Sequence, residues 1–280
     1  MEDDKERDDG SGGHPGRLIL TVYGLYARSH EGWLPIAGVV RLIAEFGCNV
    51  QAVRSATHRL KRRGVLLAER RGDAAGYALS DVALGLLAEG DVRIFGHRRG
   101  TVADGWLLVA FSVPGAERAK RYQLRSTLIR LGFGTVAPGT WVAPRHLESA
   151  ARETFDRLGL TEFTHMFAGP YVAGGDLVAL VRSWWDLEGL QALYAEFVQR
   201  FGLVAKRWAD DPGPDARAFA DHVEMLTAWR RLPYADPGLP LELLPADWIG
   251  LRAQQLFTDL SARLAEPAAR HAWASLATSH

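Results

Sequence analysis

Asn49-Val-Gln-Ala-Val-Arg-Ser-Ala-Thr-His-Arg-Leu-Lys-Arg-Arg-Gly64 reads as one helix with both ends marked. Asn49 supplies a side-chain cap for the first turn, and Gly64 supplies the left-handed residue that stops the last. At about 100° per residue, Val50, Val53, Thr57 and Leu60 fall on one face and can pack against neighbouring helices. Gln51, Ser55, His58 and Arg62 line the opposite face, Arg54 and Arg59 flank it, and Lys61 and Arg63 add charge near the end. An apolar back with a cationic, hydrogen-bonding front is the division a DNA reader needs. Arg and Lys reach phosphates and guanine edges, and Gln can pair with adenine through two bonds. A merely solvated helix face has the same composition, so the flanking segments decide between the two readings.

Upstream, Leu34 to Phe46 carries Ile36, Val39, Val40, Ile43 and Phe46 at helical spacing and ends at Gly47. Arg17 to Arg28, with Leu18, Leu20, Val22, Leu25 and Tyr26, suits a buried helix or a strand, and its length favours helix. Downstream, Val65-Leu66-Leu67 and Tyr77-Ala78-Leu79 read as short strands around a turn containing Gly and Asp. Arg70 and Arg71 sit where such a hairpin would touch a DNA backbone or minor groove. Ser80 then caps a helix over Asp81 to Phe95. Helix, helix, helix, hairpin is the order of a winged helix-turn-helix, expected over residues 17–98. Its DNA-binding candidates are Gln51, Arg54, Ser55, His58, Arg59, Lys61, Arg62, Arg70 and Arg71. His58 fits a base contact, a phosphate contact or plain exposure; no second ligand at metal-binding spacing accompanies it.

His97 to Asp104 reads as a charged linker. Beyond it, Trp106 to Val113 is strand-like, Glu117 to Leu131 helical, Gly134 to Val142 a pair of short β segments around Pro-Gly, and Pro144 to Leu158 helical. Phe163 to Tyr171 or Leu177 to Val181 closes with strand. This is a ferredoxin-like βαββαβ plan over 104–181. Residues 183–280 are expected to form a helical C-terminal domain, with helices over Leu187–Phe201, Ala216–Leu232, Leu251–Leu264 and a separate tail. The prolines between Leu232 and Pro245 keep that stretch out of regular helix. The fold class is therefore α+β.

Composition bounds the function. The 280 residues carry no formal net charge, with 48% hydrophobic and 24% charged side chains, an ordinary globular balance. The single Cys48 rules out an internal disulfide framework and points to a reducing compartment. Residues 1–16 are acidic and glycine-rich, with Asp3, Asp4, Asp8 and Asp9, and are expected to be disordered and unlike a signal peptide. No apolar run reaches the roughly 18 residues of a membrane span. The expectation is a cytoplasmic protein with no membrane partner.

Further along, the chain resembles the phenylacetic acid degradation repressor family, the PaaX-like regulators. The residues that carry the likeness are Leu20-Thr-Val-Tyr-Gly-Leu-Tyr26 and Val53-Arg-Ser-Ala-Thr-His-Arg-Leu60 in the first block. In the second they are Trp106-Leu-Leu-Val-Ala-Phe-Ser-Val-Pro114, Arg125, Leu128 and Gly132-Phe-Gly134. The most specific are Trp229-Arg-Arg-Leu-Pro-Tyr-Ala-Asp-Pro-Gly-Leu-Pro240 and Leu243-Leu-Pro-Ala-Asp-Trp-Ile-Gly250. The resemblance implies three domains, a homodimer on a double-stranded operator, and repression of a catabolic operon such as phenylacetate catabolism. It also implies relief of repression by an aryl- or acyl-coenzyme A effector.

Other readings were open. The resemblance likens the central domain to CRISPR-associated endoribonucleases, which raises a metal-dependent nuclease. Such chemistry needs carboxylates, and Phe111-Ser-Val-Pro114 holds none; no catalytic residue and no metal site are assigned. An effector-independent DNA-binding protein is the other alternative. Isolated His146, His165 and His222 are more often surface or core residues than catalysts. Arg118, Lys120, Arg121, Arg125 and Arg130 share one helix, which suits phosphate binding or a solvated face. Among the tryptophans 184, 185, 208, 229, 248 and 273, those at Trp184, Trp208 and Trp229, with Arg230, are the guessed lining of an effector pocket.

Overall fold

The computed structural model describes residues 15–96, 98–172 and 174–277. The acidic stretch 1–14 and His97 lie outside the described residues. Pro15 and Gly16 are not part of a tail; they open the first helix. The chain divides into two compact units. The first comprises residues to 89 with 203–228 and 257 onward, and the second comprises 90–202 with 229–256.

In the first unit, α1 (Pro15–Val22) continues as a wider π-helical turn over Tyr23–Ala27. Then follow β1 (Trp33–Pro35), α2 (Ile36–Ala44), α3 (Val50–Arg62), β2 (Leu66–Arg71) and β3 (Ala74–Leu79). The helix α4 (Asp81–Phe95) starts in this unit. The strands form one antiparallel sheet in the order β1-β3-β2. Leu18, Ile19 and Val22 of α1, Val39, Leu42 and Ile43 of α2, and Val53, Ala56 and Leu60 of α3 are buried together with Leu34 and Leu66 of the sheet. Burial of each large aliphatic is worth about 1.5–3 kcal/mol, so Val53 and Leu60 alone fix α3 to the body. Gly76 is required in β3, because a side chain there would collide with the Trp33 ring and the Leu34 carbonyl.

The second unit holds β4 (Trp106–Phe111), α5 (Arg118–Leu131), β5 (Gly134–Ala137), β6 (Thr140–Pro144), α6 (Glu148–Leu158) and β7 (Thr164–Gly169). They form an antiparallel sheet in the order β5-β6-β4-β7. Leu107 and Val109 of β4 and Trp141 and Ala143 of β6 pack with Leu124 and Leu128 of α5 and Ala151 and Phe155 of α6. Residues 177–184, expected as a possible closing strand, are instead α7 (Leu177–Trp184), capped by Asp176, whose Oδ1 accepts from the Val178 and Ala179 amides.

The C-terminal region is helical: α8 (Leu187–Asp210), α9 (Asp215–Trp229), the single turn α10 (Leu232–Ala235) and α11 (Gly250–Ala277). Two features differ from the sequence reading. First, the expected tail helix is not separate, because α11 runs through Pro267. Leu264, Ala268, Ala272 and Leu276 are all buried at a spacing of four, and that continuous apolar stripe outweighs one missing backbone bond. Second, these residues do not form a compact unit of their own. Phe219 and Trp273 complete the first unit's core against Tyr26, at ring separations of 6.1 and 5.9 Å.

The proline-rich segment has a defined anchor in the second unit. Asp236 is buried; its carboxylate accepts from Arg99 Nη2 at 2.8 Å, Tyr194 Oη at 2.9 Å and the Gly238 amide at 2.8 Å. Arg99 also donates to the Leu239 carbonyl, and Arg93 donates to the carbonyls of Pro233 and Leu131 while lying over the Tyr234 ring. Burial, with the Asp236 carboxylate beside it, pushes the Tyr194 hydroxyl pKa far above its usual value, so it stays a donor.

Candidate nucleic-acid interface

The ends of α3 are built as its sequence signals. Asn49 Oδ1 accepts from the Ala52 amide at 2.8 Å, satisfying one of the free donors of the first turn. Gly64 takes φ 70°, and the Val65 amide returns to the Leu60 carbonyl at 3.0 Å, closing the last turn. Ser80 Oγ donates to the Gly64 carbonyl at 2.7 Å and accepts from the Ala83 amide. One hydroxyl thus ties the end of α3 to the start of α4.

The buried side of α3 is Val53, Ala56, Thr57 and Leu60, with the Thr57 hydroxyl satisfied by the Val53 carbonyl at 2.9 Å. Val50, expected on that side, is instead 47% exposed. It lies in the first turn, about 70° from the centre of the buried stripe, while Ala56 takes the place deeper in. Gln51, Arg54, Ser55, His58, Arg59, Lys61 and Arg62 are all exposed. Among the described residues, no ion pair holds Arg54, Arg59, Lys61 or Arg62. The front of α3 is therefore an uncompensated cationic surface on a rigid element. Arg63, at the helix cap, is exposed beside it.

The two hairpin arginines part company. Arg70 is exposed and its guanidinium donates to the Asp73 carbonyl across the turn. Arg71 is engaged inside the sheet: Nε meets Glu69 at 2.7 Å, Nη1 meets Glu31 at 2.8 Å, and the guanidinium lies 5.2 Å over Trp33. The hydrogen bond to Glu69 and the two carboxylates raise its pKa. Arg71 braces β2 against β1 rather than projecting outward. Glu31 lies 40 positions earlier, which no local pattern could reveal.

Of the four residues expected to line an effector pocket, Trp208 falls in the first unit and Trp184, Trp229 and Arg230 in the second. Trp229 is buried beside Tyr194 and Phe197, its Nε1 donating to the Ile94 carbonyl. Trp208 belongs to the first unit, buried with Nε1 on Asp221. Trp184 is part-exposed among Trp106, Trp185 and Tyr171, and Arg230 is half-buried. An open cleft of about 500 Å³ is lined by Arg98, Asp104, Arg145, His146, Glu148 and Ser149, none of them among the four. Asp104 serves a structural end there: its carboxylate accepts from the Thr101 amide and hydroxyl in a capping box, which lowers its pKa.

Comparison with known proteins covers most of the described chain. The PaaX-like protein model matches residues 15–83, the PaaX protein central Cas2-like domain residues 99–181, and the PaaX-like protein C-terminal domain residues 185–274. The Transcriptional repressor PaaX of Escherichia coli (strain K12) is 30% identical over 260 residues, covering 90% of this chain and 80% of that protein. Uncharacterized protein Rv0674 from Mycobacterium tuberculosis shares the fold at a TM-score of 0.58 and 23% identity, over 90% of this chain and 96% of that one. The chain belongs to the PaaX-like protein family.

Proposed function

We propose that the protein is a sequence-specific DNA-binding transcriptional repressor that reads its operator with α3. The observation that carries this reading is the front of α3: seven exposed polar or cationic side chains on a capped helix whose back is locked into a core. The E. coli relative, a transcriptional repressor by name, supports it. In this reading α2, α3 and the β2–β3 hairpin are a winged helix-turn-helix, and residues near the start of α3 face base edges in the major groove. Val50 joins Gln51 and Arg54 there, its exposed methyls suited to a thymine methyl. Arg70 is the wing contact.

The unit around β4–β7 is ferredoxin-like and serves assembly rather than catalysis. The protein works in the cytoplasm as a homodimer, with half-sites about 10 bp apart or a multiple of that. An aryl- or acyl-coenzyme A thioester releases it by binding the state that does not bind DNA more tightly. Nuclease chemistry is not favoured, because the last residue of β4 is Phe111 and the nearest preceding acid, Asp104, is spent on a cap.

Footprinting on the region upstream of the protein's own gene, at low salt and without ligand, tests the reading. A discrete footprint is expected, with Arg54→Ala and Arg62→Ala each weakening it and flattening its salt dependence. A protein lacking any sequence-specific footprint, or unaltered affinity in both variants, would overturn it.

A further inference from the structure

The two helices on the sheet of the second unit differ in charge. On α6, Glu148 pairs with Arg152 at 3.0 Å and with Arg145 at 3.7 Å, and Glu153, Asp156 and Arg157 keep the signs mixed. On α5, Arg118, Lys120, Arg121, Arg125 and Arg130 occupy 14 residues without one acid. Lys120 is neutralised by Glu117 and Glu162, and Arg121 donates to the Val113 carbonyl. Arg118, Arg125 and Arg130 are exposed, and among the described residues none of the three is held in an ion pair.

This arrangement works against the helix. Arg118 places a positive charge in the first turn, at the positive end of the helix dipole, and Arg121 and Arg125 repel one another at a spacing of four. Surfaces kept only for solubility interleave the signs, as α6 does. Along the same stripe, Tyr122 is 75% exposed and Ile129 61% exposed between the arginines. Leu124, Thr127, Leu128 and Leu131 already fill the buried side, so packing does not require either residue. A local rule broken without structural gain marks a surface selected for something else.

We infer that the exposed face of α5 is a second DNA-binding surface, taking the phosphate backbone of duplex DNA through Arg118, Arg125 and Arg130, with Tyr122 against the groove edge. The inference rests on the DNA-binding reading above and extends it from the first unit to the second. The contact is sequence-independent. Arginine forks suit phosphate oxygens, and the one carboxamide of α5, Gln123, is half-buried at the edge of the face rather than at its centre.

The test is the salt dependence of full-length protein on operator DNA, comparing wild type with the triple variant Arg118→Gln/Arg125→Gln/Arg130→Gln. Three lost phosphate contacts should reduce the log–log salt slope by about 2.7. Between 50 and 200 mM salt the wild type should then weaken roughly 40-fold more than the variant. The footprint's centre should not move. The substitutions relieve repulsion on an exposed face, and an unchanged melting temperature checks that the fold is intact. An unchanged slope in the folded variant overturns the inference.

To separate this from failure of α3, the same triple change is made in the Arg54→Ala/Arg62→Ala background. Loss of the footprint there, with residual non-specific binding that still loses salt dependence through the α5 changes, supports both readings. A photo-crosslinking benzoylphenylalanine at position 122 supplies a second readout. Crosslinks to DNA flanking the footprint are expected, and crosslinks to protein alone would overturn the assignment in favour of an interface between copies.

Discussion

Replacing Arg99 with Met would strand the Asp236 carboxylate inside the second unit. The pair is well buried, with 12% of the Arg99 side chain and 1% of the Asp236 side chain exposed, and Nη2 lies 2.8 Å from Oδ2. After the change, the carboxylate keeps the Tyr194 hydroxyl and the Gly238 amide and the more distant charge of Arg93, but loses the guanidinium paired directly with it. Removing one partner of such a pair costs about 3–5 kcal/mol. Total stability is roughly 5–15 kcal/mol for an ordinary domain, so a large share would go. Tyr194→Phe removes only one bond to the carboxylate and should cost less, about 1.5–3 kcal/mol. Asp236→Leu combined with Arg99→Met removes both charges, and its loss should fall well short of the two single losses added together. Urea unfolding followed by tryptophan fluorescence measures the wild type, the single variants Arg99→Met, Asp236→Leu and Tyr194→Phe, and the double variant, with Trp229 and Trp248 packed on Tyr194 as reporters. A loss below about 1 kcal/mol in Arg99→Met, or full additivity in the double variant, would refute the claim that this pair anchors the proline-rich segment.

Two further outcomes follow from particular side chains. His222 is buried with Nδ1 unpartnered, and burial lowers its pKa from 6.5 to about 4. The unfolded chain therefore takes up a proton before the folded one does: stability from this group is intact above about pH 6.5 and falls by roughly 3 kcal/mol as the pH drops to 4. Urea midpoints at pH 7 and 5 should differ less in His222→Leu, and an identical pH dependence in variant and wild type would sink this. Arg71→Ala should lower stability by loosening β2 from β1 while leaving the salt slope of operator binding in place, whereas Arg70→Ala should flatten that slope by about 0.9; the reverse pattern in filter-binding titrations would make Arg71 the wing contact.

Local signals were the legible part of the fold. Asn49, Gly64 and Ser80 each mark a chain reversal or cap through their own side chain or backbone, and α3, the hairpin and α4 follow them closely. The antiparallel sheet of the second unit was legible for the same reason, since its strands and helices alternate in short, separately patterned segments. What escaped was non-local or ambiguous. Leu177-Val-Ala-Leu-Val181 has strand composition, and only the Asp176 cap announces a helix. Pro267 looks like a terminator until the buried stripe on either side is seen to continue. The burial of Trp208 and Trp229 is a tertiary property that their sequence neighbours do not announce. The exposure of Val50 depends on where the preceding chain stops covering the first turn.

The segment that carries the family likeness most specifically is thus not the one proposed to read DNA. The Pro-Tyr-Ala-Asp-Pro-Gly segment is restrictive in sequence because it must do several things at once. Asp236 has to meet a guanidinium, a phenol and an amide, Gly238 has to adopt φ 70° against the Arg98 carbonyl, and Tyr234 has to lie under Arg93. A buried charge tolerates no partial solution. The front of α3 obeys the opposite logic. Its side chains are exposed and hold no packing obligation, so under the proposed reading their identities are free to follow the base pairs of the operator. Exchanging Gln51, Arg54, Ser55 and His58 should therefore change which operator is bound while leaving the unfolding free energy within about 0.5 kcal/mol of wild type. Changes at Arg99 or Asp236 should do the reverse, lowering the midpoint while the surviving folded protein keeps its operator preference.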